Sequence, residues 1–162
     1  MPVTIKTLEE IEIIREGGRR LATVLYKVRD KIAPGISTKD LDIYAEKLIR
    51  EMGDEPAFLG YRPEGARIPY PSTLCVSVDD EVVHGIPRKN RILKEGDLVS
   101  IDLGVKHKGF FTDMALTAPV GKVSAAEMKL LAATEESLQA GIKAARAGNT
   151  VGDIGYAIES FV

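Results

Sequence analysis

The chain has 162 residues, 44% of them hydrophobic, and a net charge of −2, which allows one sizeable core at the usual size of a single domain. Mixed charge signs leave no electrostatic footprint for nucleic acid or an anionic membrane, and no apolar run approaches the roughly 20 residues of a membrane span. The start, Met1-Pro-Val-Thr-Ile-Lys6, lacks the apolar centre of a signal peptide, and the lone Cys75 cannot close an internal disulfide; the expectation is a soluble cytoplasmic protein.

The first fifty residues read as two helices. Thr7 with Glu10 forms a capping box, and Ile11, Ile14, Gly18, Leu21, Leu25, Val28 and Ile32 recur at steps of three and four, predicting one buried stripe that ends at Pro34-Gly35. Ser37 with Asp40 opens the second helix, whose Leu41, Tyr44, Leu48, Ile49 and Met52 face inward until Gly53. Residues 54–72 are irregular and rich in Gly, Pro and Tyr. Strand-like Leu74-Cys-Val-Ser-Val78 follows, then Val82-Val-His-Gly85. The acidic run Asp79-Asp80-Glu81 between them reads as a solvated turn.

Leu98–Val105 and Phe110–Thr117 both alternate as strands do, and Lys106-His-Lys-Gly109 between them reads as a hairpin turn. A turn centred on His107 and Lys108 predicts that Asp102 and Asp113 stand directly opposite each other, with His107 a solvated turn residue. Opposed like charges at about 5 Å are destabilising, so something should offset the repulsion. A shared metal ion is the obvious candidate.

Ser124 with Glu127 opens a further helix, predicted to run to about Ala147. The sequence then repeats itself: Gly35, Ser37, Asp40, Leu41 and Glu46 align with Gly148, Thr150, Asp153, Ile154 and Glu159 at one constant offset. Generic helix–glycine–cap–helix junctions look alike, and that explanation stays open beside a true internal duplication. In the second copy the chain stops in mid-helix, with apolar Ile158, Phe161 and Val162 and no following element to pack against. The expectation is therefore a single, truncated catalytic domain, with residues 1–120 the first repeat and 121–162 the start of the second.

These segments carry a family resemblance. Cys75-Val-Ser-Val-Asp-Asp-Glu-Val-Val-His-Gly-Ile-Pro87, Leu93-Lys-Glu-Gly-Asp-Leu-Val-Ser-Ile-Asp-Leu-Gly104 and Gly109-Phe-Phe-Thr-Asp113 resemble type I methionine aminopeptidases, as do Ile5–Gly18 and Lys31–Thr38. The resemblance covers essentially the whole chain. It implies an α/β (α+β) pita-bread (creatinase/aminopeptidase-like) fold, represented here by the amino-terminal half and the first two helices of a pseudo-symmetric second half.

By that resemblance Asp102 and Asp113 are metal ligands and His84 is the active-site histidine that contacts substrate. Two divalent metal ions are implied, with cobalt, manganese, iron and zinc all open. One further histidine and two glutamates of the family's ligand set fall in its second half and are absent here. Phe58, Tyr61, Tyr70 and Cys75 fall at the positions of the methionine pocket; the 61–70 loop is longer than the family's Tyr-to-Tyr spacing, and an ordinary buried thiol stays open for Cys75. The implied substrate is the N-terminal methionine of peptides and nascent chains, with the ribosome as a candidate partner and no role for nucleic acid or membrane. With two of five ligands present, the 162 residues alone are expected to turn over negligibly. Two alternatives stay open: an Xaa-Pro dipeptidase-type relative, and a non-enzymatic pita-bread binding protein.

Overall fold

The computed structural model describes residues 4–162; Met1, Pro2 and Val3, on which part of the leader reading rests, lie outside the described residues. Two compact units form, the first ending at Lys122 and the second spanning Val123–Val162.

In the first unit, helices α1 (Leu8–Arg29) and α2 (Thr38–Glu51) open on the two predicted capping boxes. At α1 the Glu10 amide donates to Thr7 Oγ1 at 3.2 Å, and the Thr7 amide donates to the Glu10 carboxylate at 2.8 Å. Ser37 and Asp40 do the same for α2. Each reciprocal pair satisfies amides that the helix itself leaves without partners, which fixes where the helix begins.

Four antiparallel strands follow: β1 (Glu55–Pro56), β2 (Leu74–Val78), β3 (Leu98–His107) and β4 (Phe110–Pro119). β4 pairs with the whole length of β3, so β1 and β2 share the other edge of β3. The period of two divides β3 cleanly. Val99, Ile101, Leu103 and Val105 are fully buried and pack with Leu21, Leu25 and Val28 of α1 and Leu41 and Ile49 of α2. The opposite face carries Ser100, Asp102, Gly104 and Lys106. Hydrophobic burial thus fixes the register that collects polar side chains on the other side.

The predicted stripe on α1 holds at Leu21, Leu25 and Val28 and changes at its amino-terminal end. Gly17 is buried, not Gly18, and Val24 joins Leu21, Leu25 and Val28, while Ile11 is 38% exposed. A Cβ at Gly17 would lie 3.3 Å from His107 Cβ and 3.4 Å from Thr112, so the helix meets the hairpin here through bare backbone; a Cβ at Gly18 would meet nothing within 4 Å. Gly18→Ala is therefore expected to stabilise the chain by about 0.5–1 kcal/mol, as an alanine does in an unobstructed helix interior. Chemical denaturation measures it, and a loss of stability would show that the helix face is misassigned.

The second unit is a helix pair, α3 (Ala125–Ala144) and α4 (Val151–Glu159). α3 ends three residues before the predicted Ala147. Its Gly141 lets the helices close, since a Cβ there would lie 2.8 Å from the Ile158 side chain. Gly148 adopts φ 93° and Thr150 with Asp153 caps α4, just as Gly35 at φ 90° and Ser37 with Asp40 precede α2.

Candidate active site

The hairpin sets the geometry. Its loop is Lys108-Gly109, with φ 47° and 87°, closed by the pair His107 and Phe110. Two consecutive positive φ angles define the primed turn that matches strand twist. This corrects the predicted register: Asp102 stands opposite Ala115, and Asp113 opposite Gly104. The carboxylates are diagonal neighbours on one face, not a direct pair. Diagonal positions remain within reach of side chains, and the two carboxylates still repel each other.

Burial first, and then the charge of Asp113, push the Asp102 carboxyl up to about 6, while His84 and the Leu103 backbone oppose the rise. Asp102 Oδ1 is buried with no hydrogen-bond partner. Asp113 is exposed. On β2, Cys75 lies directly across from Asp102, buried to 6% exposure. Its thiol is raised by burial above all, with the carboxylates of Asp102, Asp113 and Asp42 adding to that and a hydrogen bond with Tyr70 opposing it. Tyr70 is half-buried, and its hydroxyl is within donating distance of Leu74 O at 2.9 Å and Gly85 O at 3.2 Å. Burial, more than any neighbour, holds its proton on.

His84 is exposed and sits at φ 59°, a conformation that costs a non-glycine residue energy and that the surroundings must impose. The next residue, Gly85, presses against β2. Val76 N–H donates to Gly85 O at 2.9 Å, Gly85 N–H donates to Ser77 Oγ at 3.2 Å, and a Cβ on Gly85 would lie 2.1 Å from Val76 O.

Phe58 and Tyr61 line a cavity of about 340 Å³ together with Ala57, Phe111, Thr112 and Asp113. Gly104 makes this possible: a Cβ there would lie 2.7 Å from the Phe58 ring and 2.8 Å from Ala57, so the aromatic ring lies directly on the β3 backbone beside Asp113. Tyr70 and Cys75 do not line this cavity. Phe111 was not anticipated; its alternation with Asp113 on β4 is the signal that could have placed it on the same face.

His107 corrects the sequence reading outright. It is the last residue of β3, faces the α1 side and is 4% exposed, with Nδ1 2.6 Å from Asp54 Oδ1. Arg20 of α1 reaches Asp54 Oδ2 at 3.5 Å. Removing the carboxylate leaves the buried His107 Nδ1 without its partner, while Arg20 keeps Glu16 and the Met52 carbonyl. Asp54→Ala is thus expected to cost about 2–3 kcal/mol of stability. Urea denaturation checks it, and a cost under about 0.5 kcal/mol would mean that water replaces the carboxylate freely.

Among the described residues no group of three or more His, Cys, Asp or Glu side chains is placed to hold a metal ion. Asp102 and Asp113 nevertheless suit part of such a shell. A divalent cation takes carboxylate oxygens, relieves their repulsion and gives the buried Oδ1 of Asp102 the partner it lacks.

The chain belongs to metallopeptidase family M24, whose sequence profile matches residues 12–162. It is 45% identical over 158 residues to methionine aminopeptidase of Aquifex aeolicus and 44% identical over 160 residues to methionine aminopeptidase 1 of Bacillus subtilis. Those alignments take in 98% and 99% of this chain but 61% and 62% of the two relatives. The crystal structure of methionine aminopeptidase from Rickettsia prowazekii superposes with TM-score 0.92 at 31% identity, over 99% of this chain and 62% of that one. An Xaa-Pro dipeptidase from Bacillus anthracis, at TM-score 0.82 and 21% identity, shares the fold. The pita-bread fold and the likeness to methionine aminopeptidases expected from the motifs both hold. No helix among the described residues is long and apolar enough to cross a membrane.

Proposed function

We propose that this chain forms part of a cytoplasmic metalloaminopeptidase that removes N-terminal methionine from peptides and nascent proteins. The observation that carries the reading is the Asp102–Asp113 diagonal, with its buried, unpartnered oxygen, on the face that His84 adjoins. The names of the relatives support the substrate. Asp102 and Asp113 would hold two divalent ions, which when bound lower the pKa of a coordinated water and polarise the scissile carbonyl.

The protein's own groups do the rest. His84 donates a hydrogen bond to the carbonyl oxygen or the peptide nitrogen as the tetrahedral species forms. The apolar walls around Phe58 and Tyr61 receive the methionine side chain and exclude water, since an unbranched, polarisable thioether gains most from aromatic surface. Cys75 lies across from Asp102 with Tyr70 beside it, so these two side chains position the carboxylate and not the cavity wall. Two carboxylates are too few for tight binding of a divalent ion. The 162 residues alone therefore bind metal weakly and turn over negligibly.

The test is release of methionine from a Met-Ala-Ser peptide with cobalt or manganese present. This chain, its Asp102→Ala variant and a version extended to the relatives' full length are compared. Release by the extended protein alone, abolished by Asp102→Ala, is the expected result. Release by the 162 residues that the substitution removes would overturn the inactivity of this stretch. No release by any of the three would sink the aminopeptidase reading.

A further inference from the structure

The aminopeptidase reading uses His84 but leaves open what keeps it at φ 59° on an exposed turn. Segment 79–92 has no helix or strand of its own. Its beginning is tied to the sheet, with Asp79 N–H donating to Leu98 O at 2.9 Å and Leu98 N–H to Asp79 Oδ1 at 3.0 Å. Its middle is tied by Gly85 to β2. Its far end is tied to the start of α2, by the backbone bridge of Ile92 with Ser37 and, nearer His84, by one side chain.

Thr38, the first residue of α2, is 1% exposed. Its Oγ1 accepts from Arg88 N–H at 2.9 Å and donates to Arg88 O at 3.1 Å, so one hydroxyl satisfies both backbone groups of a residue four positions past His84. Thr38 N–H in turn donates to Arg91 O at 2.9 Å. Nearby on the same helix, the buried Asp42 carboxylate accepts from Thr73 N–H at 2.8 Å and Leu74 N–H at 3.0 Å. That fixes the head of β2, against which Gly85 presses. The amino-terminal turns of α2 therefore hold both the strand beneath the His84 turn and the chain leaving it.

We propose that Thr38 is a positioning residue for His84: its hydroxyl clamps Arg88 and so keeps the turn in its left-handed conformation beside Asp102. The inference rests on the assignment of His84 to the active site, while its structural test needs no turnover. A valine at 38 keeps the shape and removes the hydroxyl; a serine keeps the hydroxyl.

The experiment is solution NMR on the labelled chain and its Thr38→Val and Thr38→Ser variants. A positive φ brings a residue's amide and α protons close, so His84 should show a strong intraresidue amide–α NOE. Thr38→Val should weaken that NOE and speed exchange of the Arg88 amide at least tenfold, while the His107 signals, buried on the other face, stay put. Thr38→Ser should restore both. A folded Thr38→Val chain with the parent's His84 NOE and Arg88 exchange overturns the proposal. Should Thr38→Val not fold, the parent decides: an Arg88 amide exchanging as fast as an unprotected one overturns the clamp, and one as slow as Val76 supports it. A full-length protein that releases no methionine yet shows these signatures would remove the aminopeptidase reading and leave the clamp standing.

Discussion

Asp102→Asn is expected to make the metal-free chain more heat-stable above pH 6 and, in a version extended to the relatives' full length, to abolish methionine release. The Asp102 carboxyl titrates at about 6 in the fold against an ordinary 3.8, because burial and Asp113 disfavour its charge. A raised acid contributes stability that is complete below the ordinary value and lost as pH rises through 6. The difference is worth about 3 kcal/mol if fully expressed, and solvent screening at a half-exposed site reduces it to about 1–2 kcal/mol. Asparagine has no charge to lose. Roughly half of that loss falls above pH 5, so between pH 5 and pH 8 the parent's midpoint should fall by about 1–4 °C relative to the variant's. Manganese in excess should reverse the order by stabilising only the parent. Calorimetry at the two pH values reads both effects. A parent that gains stability over this range relative to the variant would show that Asp102 is not held neutral by its surroundings.

Chemistry between residues close in the chain was legible in the sequence, and contacts between distant residues were not. The capping boxes at Thr7, Ser37, Ser124 and Thr150 are local chemistry. Donor and acceptor lie three residues apart, so sequence spacing alone identifies them. The alternation of β3 and β4 is equally local, and it placed Asp102 and Asp113 on one face. It did not give their register. A primed turn needs positive φ at both central positions, and Lys108, at φ 47°, is a residue type that rarely adopts it. Gly109 therefore read as the residue closing the turn when it is the second of its two central ones.

His107 was illegible for a different reason. Its burial depends on Asp54, 53 residues earlier, and on Arg20 in α1, and no periodicity records such a meeting. The burial of Gly17 in place of Gly18 has the same origin, since the hairpin meets the helix there. The role of Thr38 is hidden likewise, because a threonine after an N-cap serine reads as ordinary helix chemistry until Arg88 is seen beside it. Motif resemblance reached Phe58, Tyr61, Tyr70 and Cys75, yet only the fold divides them between the cavity beside Asp113 and the packing around Tyr70.

Gly85→Ala should be the most damaging single-methyl change in a version extended to the relatives' full length. The added Cβ would lie 2.1 Å from Val76 O, 2.8 Å from Val76 C and 3.0 Å from Ser77 Cα, all of them backbone atoms. β2 cannot retreat, because Leu74 through Val78 are paired residue for residue with β3. The turn must move instead, giving up the 2.9 Å bond from Val76 N–H and the contact of Tyr70 with Gly85 O. Overpacking of this kind costs about 1–3 kcal/mol. The larger effect falls on the adjacent His84: in the role proposed for it, a displacement of about 1 Å can cost about 100-fold in rate. Turnover should therefore drop on the order of 100-fold with KM for Met-Ala-Ser little changed, because the apolar cavity around Phe58 does not depend on Gly85. A rise in KM with kcat intact would mean that the turn binds substrate without taking part in the chemistry, and His84 would lose the role given to it here.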